Sequence, residues 1–465
     1  MPLKLFNTLT QKVEEFVPIK GRTVRMYTCG PTVYDYVHIG NLRTFIVQDI
    51  LRRYLVHCNY EVMQVMNITD VEDKIIAGAA EQGIEIEKYT EPYKCAFLED
   101  MKTLKIGKPQ LMPQATDHIP EMLDLIKCLT RKGLTYERNG SIYFRIGGFP
   151  DYGRLSGIDI ERLSEKGQQD SDEYAKENPR DFVLWKKRKP GEAYWDSKLG
   201  RGRPGWHLEC SAMSMKYLGE NFDIHCGGID LIFPHHENEI AQSEGATGKP
   251  FVKYWIHSAH LIVAGEKMSK SRGNFYTLRD LLGKGYASRS IRYLLASVRY
   301  RTQLNFTLDG LHQAAKSLER VSNFLQKVRK VSSDQEGSEK VQEHIEQASN
   351  GFKEAMDNDL NTAKALGVLF TLIRKINPSL ENGLVGASQK NEILELFTNV
   401  DQIFDVFEMD KKELQDQKVQ KLIMEREEAR KRQDYNRADE IRDELASLGI
   451  ILEDTQAGPR WKRSR

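Results

Sequence analysis

The sequence concentrates potential metal ligands in one short run, H-H-E-N-E at residues 235–239. On a helix, His235 and Glu239 are four residues apart and share one face, so both could bind a single ion. His236 and Glu239, three residues apart, would also fit, and spacing alone does not choose between the two histidines. The run is not H-E-x-x-H, because Ile240 stands where that motif has its second histidine, so a zinc protease is not supported.

Two cysteines elsewhere in the chain could complete such a site. Cys29 ends the first β-rich run, and Cys210 follows W-H-L-E at residues 206–209. Zinc commonly combines thiolate, imidazole and carboxylate ligands, although any one of these residues alone is better explained as a buried side chain. The chain has no C-x-x-C pair, and we expect its six cysteines to be reduced thiols: Cys29, Cys58, Cys95, Cys128, Cys210 and Cys226.

A second group of residues suits the binding of a triphosphate. The sequence H-I-G-N at residues 38–41 lies at a predicted strand–turn–helix junction, where the helix N-terminus attracts anions. Gly40 leaves space for a flat base against the backbone. His38 could donate to phosphate oxygens in the transition state. On its own this motif is weak, since a histidine at a helix start is usually a cap or a surface residue.

A third candidate motif is K-M-S-K-S at residues 267–271, which follows an apolar run and a turn. Lys267 and Lys270 would place two ammonium groups on one loop, where they could follow a pyrophosphate as its charge builds. The alternative is a solvated basic loop, which is the better reading of most lysine- and serine-rich pentapeptides.

The elements around these motifs predict a parallel sheet. Residues 24–29 are typical of a strand, residues 41–57 of an amphipathic helix, and residues 60–68 of a second strand. Strand, crossover helix and strand form a βαβ unit. Because open parallel sheets bind ligands beyond the carboxyl ends of their strands, residues just after Cys29 and Ile68 are site candidates.

Length and composition indicate a multidomain globular protein. The chain has 465 residues, of which 40% are hydrophobic and 29% charged, and its net charge of +1 excludes a whole-chain basic coat for nucleic acid. Neither a signal peptide nor a membrane-spanning segment is visible, so we expect a cytoplasmic protein that does not contact a membrane.

We predict an α/β, Rossmann-like parallel-sheet domain with a mixed insertion, then an all-α helical bundle and a small C-terminal α/β segment. Helical spacing of apolar residues begins near residue 311, and further helices are predicted around residues 352–376 and 391–407. The tail reads as a helix, a short strand at 450–452 and a turn. The predicted units are residues 1–110 and 205–306 for the two halves of the α/β domain, 111–204 for the insertion, 307–410 for the bundle and 411–465 for the tail.

The motifs taken together resemble a known family. H-I-G-N and K-M-S-K-S flanking an α/β unit resemble the two signatures of class I aminoacyl-tRNA synthetases, although Asn41 stands where histidine is common. Longer segments resemble cysteinyl-tRNA synthetases in particular, and the resemblance runs from near residue 20 to residue 461. These segments are C-G-P-T-V-Y-D at 29–35, N-I-T-D at 67–70, P-G-W-H-L-E-C-S-A-M at 204–213, G-G-I-D-L-I-F-P-H-H-E-N-E at 227–239 and M-D-N-D-L-N-T at 356–362.

This resemblance implies an enzyme that activates cysteine with ATP and transfers it to the 3′-terminal adenosine of tRNA(Cys). It also implies that the bundle, residues 307–410, binds tRNA and reads its anticodon, and that the tail, residues 411–465, binds tRNA. It implies one zinc ion, and magnesium with ATP; we expect the chain to act as a monomer. The implied zinc ligands are Cys29, Cys210, His235 and Glu239. The implied ATP-binding residues are His38, Gly40, Asn41, Asp230, Lys267 and Lys270, with His38, Asn41, Lys267 and Lys270 catalytic and Asp230 on the nucleoside sugar. Thr69 and Trp206 are expected to flank the cysteine.

Zinc would also explain how cysteine is chosen over serine. Zinc binds thiolate well and a protonated hydroxyl poorly, so the substrate sulfur would add as a fifth ligand and no editing domain would be needed. Two rival functions are a similar ligase that couples cysteine to an amino sugar, and a non-catalytic RNA-binding paralogue. The resemblance of the bundle and tail argues against the first, and the intact signatures argue against the second.

Overall fold

The computed structural model describes residues 2–158, 176–269, 272–332, 336–407, 409, 411–432, 434–447, 450–455 and 458–463. Of the predicted site residues, Lys270 lies outside these ranges. None of the described helices combines the length and the apolar character that crossing a membrane requires.

The described elements alternate between strands and helices up to about residue 306 and are mainly helical beyond it. The strands are β1 (Lys4–Asn7), β2 (Lys12–Glu15), β3 (Thr23–Thr28), β4 (Glu61–Met66), β5 (Thr135–Arg138), β6 (Ser141–Phe144), β7 (Phe182–Lys187), β8 (Gly202–Pro204), β9 (Phe222–Gly228), β10 (Val252–Ser258), β11 (Leu261–Val263), β12 (Glu266–Lys267), β13 (Leu304–Phe306), β14 (Ile450–Thr455) and β15 (Gly458–Arg463). The helices are α1 (Ile39–His57), α2 (Asp73–Gln82), α3 (Ile86–Thr103), α4 (Ile119–Arg131), α5 (Trp206–Leu218), α6 (Glu237–Thr247), α7 (Leu278–Gly283), α8 (Ser288–Ala296), α9 (Leu308–Arg329), α10 (Glu339–Asp357), α11 (Thr362–Glu381), α12 (Ala387–Phe404), α13 (Lys411–Lys431) and α14 (Tyr435–Ser447).

The central sheet has four parallel strands in the order β10-β9-β3-β4. The predicted βαβ unit is confirmed as β3, α1 and β4. In register, Thr28 at the end of β3 lies opposite Met66 of β4 and Cys226 of β9. The carboxyl ends of the strands therefore meet at one edge, where Cys29 and residues 67–70 follow them.

The insertion predicted for residues 111–204 forms a separate small sheet. Strands β5, β6, β7 and β8 pair antiparallel in that order, and α4 packs against β5, α5 and α6. Its apolar side chains join those of α5 and α6 in one core on one side of the parallel sheet. The insertion is thus built onto the same face that carries Cys210.

Helices α9 to α12 form the predicted bundle, with one correction. The single helix predicted around residues 352–376 is two helices, because α10 ends at Asp357 and α11 begins at Thr362. Between them Asp359 and Leu360 have positive φ angles of 58° and 47°. A left-handed conformation interrupts a right-handed helix, and Asp359 is held in it by tertiary hydrogen bonds from the amide of Phe6 and from Tyr300.

The tail also differs from its prediction in one respect. Helix α14 is followed by β14, as predicted, but the segment read as a turn continues into β15, which pairs antiparallel with β14. Helices α13 and α14 and the start of β14 share a small apolar cluster formed by Val419, Leu422, Ile423, Ile441, Leu445 and Ile450.

Helix α1 connects the sheet to the bundle. Tyr54, near its C-terminal end, donates a 2.7 Å hydrogen bond to Asp357 of α10. Arg53 contacts Asp405, just after α12, at 3.2 Å. Buried apolar side chains of α1, α8 and α12 belong to a single core that runs from the sheet into the bundle. The catalytic half and the bundle therefore share one core.

Candidate active site

Four potential metal ligands from separate parts of the chain meet at the edge of the sheet. Cys29 follows β3, Cys210 lies in α5, and His235 and Glu239 lie just before and within the first turns of α6. All four are buried, and one ligand atom of each lies within 4.8 Å of those of the others. The structure thus brings together the four residues that the sequence resemblance named.

A second set of four overlaps the first. Cys29, His225, His236 and Glu239 also have ligand atoms within 4.8 Å of one another and are equally buried. His236 is one of the two histidines that spacing alone left open, whereas His225 was not among the residues predicted from the sequence. The signal was the alternation along β9, which directs His225 to one face of the sheet while its neighbours point to the other.

Hydrogen bonds distinguish the two sets. His225 Nε2 lies 2.9 Å from Glu239 Oε2, whereas Glu239 Oε1 faces His235 Nε2 at 3.1 Å. His235 Nδ1 is 3.0 Å from the Nδ1 of His207, so its other ring nitrogen is the one turned toward Glu239 and the cysteines. Metal-binding histidines are typically oriented in this way by a partner on the opposite nitrogen.

Two further histidines, His236 and His257, form a chain of contacts that leads from Cys29 to Thr8. His236 Nε2 lies 3.4 Å from Cys29 Sγ, and His236 Nδ1 lies 2.7 Å from His257 Nε2. His257 Nδ1 in turn lies 2.7 Å from the hydroxyl of Thr8. Burial lowers the pKa of both His236 and His257, to about 3 for His257, so both rings are neutral near pH 7. They are thus suited to orienting the cluster rather than to compensating its charge.

The ionisable side chains of the cluster favour the binding of a cation. Burial raises the pKa of the Cys29 thiol, and the hydrogen bond with Cys29 together with burial raises that of Cys210. Burial alone would lower the pKa of His235, but Cys210 and Glu239 raise it to about 10. Two thiols and a carboxylate lie beside one imidazole. A divalent cation would stabilise the thiolate forms of the cysteines and the ionised carboxylate. A set of two thiolates, one imidazole and one carboxylate fits zinc.

The phosphate signature begins helix α1. His38 is the N-cap: its Nδ1 accepts from the amide of Asn41 at 3.1 Å, and its own amide donates to Asn41 Oδ1 at 3.4 Å. A Cβ at Gly40 would lie 2.9 Å from the His38 ring, so this close approach requires glycine. The capping box fixes both side chains at the positive end of the helix.

The second signature is joined to the first through the backbone. The amide of Ile39 donates to the carbonyl of Tyr276 at 3.0 Å, and His38 forms an antiparallel bridge with Thr277. Lys267, exposed at the end of β12, pairs with Ile262 of β11. Residues 276 and 277, downstream of K-M-S-K-S, are therefore fixed against the start of α1.

The three remaining predicted residues lie around the same edge. Asp230 is exposed in a short helical turn after β9. The ring of Trp206 lies 4.4 Å, centroid to centroid, from that of His235. The hydroxyl of Thr69 donates to Glu209 at 3.0 Å and accepts from Asn67 at 3.1 Å. Trp206 thus borders the metal-ligand cluster, and Thr69 is connected to it through Glu209, the residue before Cys210.

Glu209, which shares a face of α5 with Trp206, was not predicted from the sequence. The carboxylate is fully buried, and among the described residues its Oε1 has no hydrogen-bond partner. Burial raises its pKa well above the usual range for glutamate. The only sequence signal was its place beside Cys210 in W-H-L-E-C.

Three family models together match most of the chain. The one described as "tRNA synthetases class I (C) catalytic domain" matches residues 15–316, and a DALR domain matches residues 351–409. A "Cysteinyl-tRNA ligase anticodon binding domain" matches residues 415–461. Anticodon binding was expected of the bundle, whereas the model with this description matches the tail.

Full-length relatives show the same likeness. The chain is 50% identical to the cysteine–tRNA ligase of Solibacter usitatus over 465 residues, covering 100% of both chains. It is 49% identical to that of Koribacter versatilis, again over 100% of both chains. It is 46% identical to that of Thermococcus onnurineus, covering 100% of this chain and 99% of the relative.

Solved structures show the same fold at low sequence identity. Mycobacterium tuberculosis methionyl-tRNA synthetase, in complex with methionyl-adenylate, superposes with a TM-score of 0.62 at 14% identity. The match covers 83% of this chain and 88% of that one. A leucyl-tRNA synthetase of Agrobacterium radiobacter, in a ternary complex, gives 0.59 at 11% identity, covering 83% and 84%. The predicted Rossmann-like α/β fold with a helical domain is confirmed.

Proposed function

Because the chain belongs to the cysteine–tRNA ligases, a family of class I aminoacyl-tRNA synthetases, we propose that Cys29, Cys210, His235 and Glu239 hold one zinc ion beside the substrate. The reaction is the joining of cysteine to tRNA. One observation carries the zinc proposal: four ligand atoms from three distant parts of the chain lie within 4.8 Å of one another, all buried. A zinc ion there would supply a ligand position that binds a substrate thiolate well and a serine hydroxyl poorly.

We prefer this set to the one containing His225 and His236. In the preferred set Glu239 Oε1 is directed to His235, while Oε2 is engaged by His225 at 2.9 Å. The preferred set also supplies two thiolates, which zinc favours. His225, His236 and His207 then act by orienting the ligands.

The protein residues around the site would carry the activation of cysteine. In the proposed step the cysteine carboxylate attacks the α-phosphorus of ATP and pyrophosphate leaves, so positioning and charge stabilisation matter most. His38, Gly40 and Asn41 would bind phosphates at the N-terminus of α1, and Lys267 and Lys270 would bind them from the other side. Magnesium would accompany ATP.

The remaining proposed contacts are with the nucleoside sugar and with the cysteine of the adenylate. Asp230, exposed after β9, would bind the nucleoside sugar, and Thr69 and Trp206 would flank the cysteine. The cysteine would then pass to the terminal adenosine of tRNA. For tRNA binding we propose the bundle, residues 307–410, and the tail, residues 411–465, since the tail matches a family model described as anticodon binding. The same match disfavours the amino-sugar ligase.

ATP–pyrophosphate exchange with each amino acid in turn tests the activity. We expect exchange with cysteine and little with serine. Zinc-edge X-ray absorption tests the metal separately, because bound cysteine should add one sulfur neighbour and serine should add none. An unchanged spectrum at saturating cysteine would limit the metal to a structural role. Equal exchange with serine would contradict selection by the metal.

A further inference from the structure

The side chain of Asn274 makes hydrogen bonds to two backbone groups of the second signature, K-M-S-K-S. Its Nδ2 donates to the carbonyl of Lys267 at 3.2 Å, and its Oδ1 accepts from the amide of Ser269 at 2.8 Å. These two backbone groups lie on either side of Met268. One side chain thus holds the chain both at the signature lysine and two residues beyond it.

The segment that follows Asn274, residues 275–277, contacts the first signature, H-I-G-N. The next residue, Phe275, has its ring edge-on to that of His38, with 5.5 Å between centroids. Tyr276 accepts from the amide of Ile39, and Thr277 bridges His38. Lys267, which also pairs with Ile262 in the β11–β12 hairpin, is therefore held relative to His38 through Asn274.

Only an amide side chain of this length can make both bonds. Aspartate would still accept from the Ser269 amide but would set a carboxylate against the Lys267 carbonyl, and alanine would make neither bond. Asn274 is only partly buried, so the core does not depend on it. Holding a charged group in its working position lowers the entropy lost when the reaction begins.

We propose that Asn274 is a positioning residue for cysteine activation, which holds Lys267 where it meets the phosphates of ATP. This inference rests on the proposed role of Lys267. It assigns Asn274 no contact with the substrate, so its removal should slow the reaction without weakening the binding of cysteine.

The test compares Asn274→Ala and Asn274→Asp with Asn305→Ala as the matched control. Asn305 is the same residue type beside the same hairpin, and its Oδ1 accepts from the amide of Gly265 at 2.8 Å, at the opposite end from Lys267. In cysteine-dependent ATP–pyrophosphate exchange, both Asn274 variants should lose about tenfold in kcat, with the KM for cysteine and the Tm unchanged. Asn305→Ala should stay within about twofold of the parent enzyme.

Limited trypsin digestion provides a second readout that does not depend on activity. Cleavage after Lys267 and Arg272, followed by mass spectrometry, should be faster in Asn274→Ala than in Asn305→Ala, because the backbone at the loop base is released. A normal kcat in Asn274→Ala would overturn the inference, whatever the digestion shows. A lower kcat accompanied by a lower Tm or by a raised KM for cysteine would also overturn it, since it would reveal a merely structural role.

Lys267→Ala separates this inference from the proposed function. If Lys267→Ala exchanges normally, the phosphate role of Lys267 is wrong and the inference fails with it. If Lys267→Ala is slow and Asn274→Ala is normal, the proposed function stands and only the role of Asn274 is wrong.

Discussion

Glu239 shows how single residues define the site. Its two carboxylate oxygens face different histidines, His225 on one side and His235 on the other. Together with burial, His225 and His235 determine its protonation: burial alone would raise its pKa, yet the two imidazoles hold it below the usual range for glutamate. An ionised carboxylate held between two rings is a ready ligand for a divalent cation.

Single substitutions should distinguish the two overlapping ligand sets. Cys210→Ser and His235→Ala should remove most of the bound zinc, since each deletes one of four ligands. His225→Ala should weaken zinc binding about 10- to 100-fold, as expected for a residue that orients a ligand. Zinc content by mass spectrometry after dialysis against a chelator measures both effects.

Cys226→Ala is the matched control for these variants. Cys226 is a buried thiol at the end of β9 that belongs to neither set, so its removal should leave the zinc content unchanged. Zinc loss in His225→Ala as complete as in His235→Ala, with zinc retained in Cys210→Ser, would instead favour the second set.

The signature lysines make a separate prediction. Lys270→Ala should lower cysteine-dependent ATP–pyrophosphate exchange by about 100-fold or more with little change in cysteine binding, because the charge that it meets grows in the transition state. The exposed Lys284, at the C-terminal end of α7, provides the control, and Lys284→Ala should exchange normally. An unaffected exchange rate in Lys270→Ala would remove this loop from the mechanism.

Local motifs made most of the site predictable from sequence. His38, Gly40 and Asn41 lie within one four-residue motif, and His235 and Glu239 are four residues apart. His225 and Glu209 are not predicted, because their burial beside the site depends on which face of a strand or helix meets the cluster. That information is tertiary and leaves no local pattern beyond alternation.

At the scale of elements, α1 has contacts of different kinds along its length. Its first turn carries the phosphate signature, and one turn later the buried Arg43 donates to the carbonyls of Ala259 and Thr302 at 2.7 and 2.6 Å. Asp49, in the middle, pairs with Arg292 of α8 at 2.6 Å. Helix α1 is therefore held by buried polar contacts to the segments before β11 and before the bundle.

The last turn of helix α12 carries a partly buried carboxylate, that of Asp401, whose ionisation should affect stability. Asp401 accepts from the amides of Val406 and Phe407 at 2.8 and 2.7 Å. Burial raises its pKa from the ordinary 3.8 to about 6, and these amides offset that rise only in part. Because the folded state binds the proton more tightly than the unfolded state, Asp401 stabilises the fold less as the pH rises from about 4 to about 6.

Asp401→Asn keeps the acceptor for both amides and removes the charge. Its Tm relative to the parent should rise between about pH 4 and pH 7 and then stay about 1–2 °C higher. Thermal melts across this range measure the difference. Asp124→Asn, at an exposed residue paired with Lys127, should show no such trend. A flat difference for Asp401→Asn would mean that its carboxylate stays ionised throughout.

Element boundaries were less predictable than the elements. The strands and crossover helix of the βαβ unit follow from periodicity, since each buries one face or stripe. The break between α10 and α11 does not, because it depends on Asp359 receiving Arg299 and Arg301 at 2.8 and 2.7 Å from about sixty residues away. Nothing in the local sequence signals those partners.

At the scale of the whole molecule, one apolar core spans two units that the sequence analysis treated as separate. It includes Leu42 of α1, Leu295 of α8 and Phe397 of α12. Among the residues whose side chains the structure describes, the tail differs, since its six buried apolar residues form a separate cluster. The natural place to divide the protein is therefore after the bundle.

A chain ending at residue 409 should fold and retain cysteine-dependent ATP–pyrophosphate exchange within about twofold, while losing most tRNA charging. A chain ending at residue 306 should be insoluble or lack cooperative melting, because the cut exposes the bundle-facing side of the core. Exchange, aminoacylation and melting assays on both chains make the comparison. Full charging of tRNA by the shorter of the two would contradict both the shared core and the proposed tRNA-binding role.

The length of α1 has a thermodynamic consequence. Its nineteen residues span about 28 Å, with the phosphate signature at one end and the bundle contacts of Arg53 and Tyr54 at the other. If the binding of tRNA to the bundle displaces α1, it changes the affinity of the enzyme for ATP by some factor. Linkage then requires ATP to change the affinity for tRNA by the same factor. Measuring either coupling free energy gives the other.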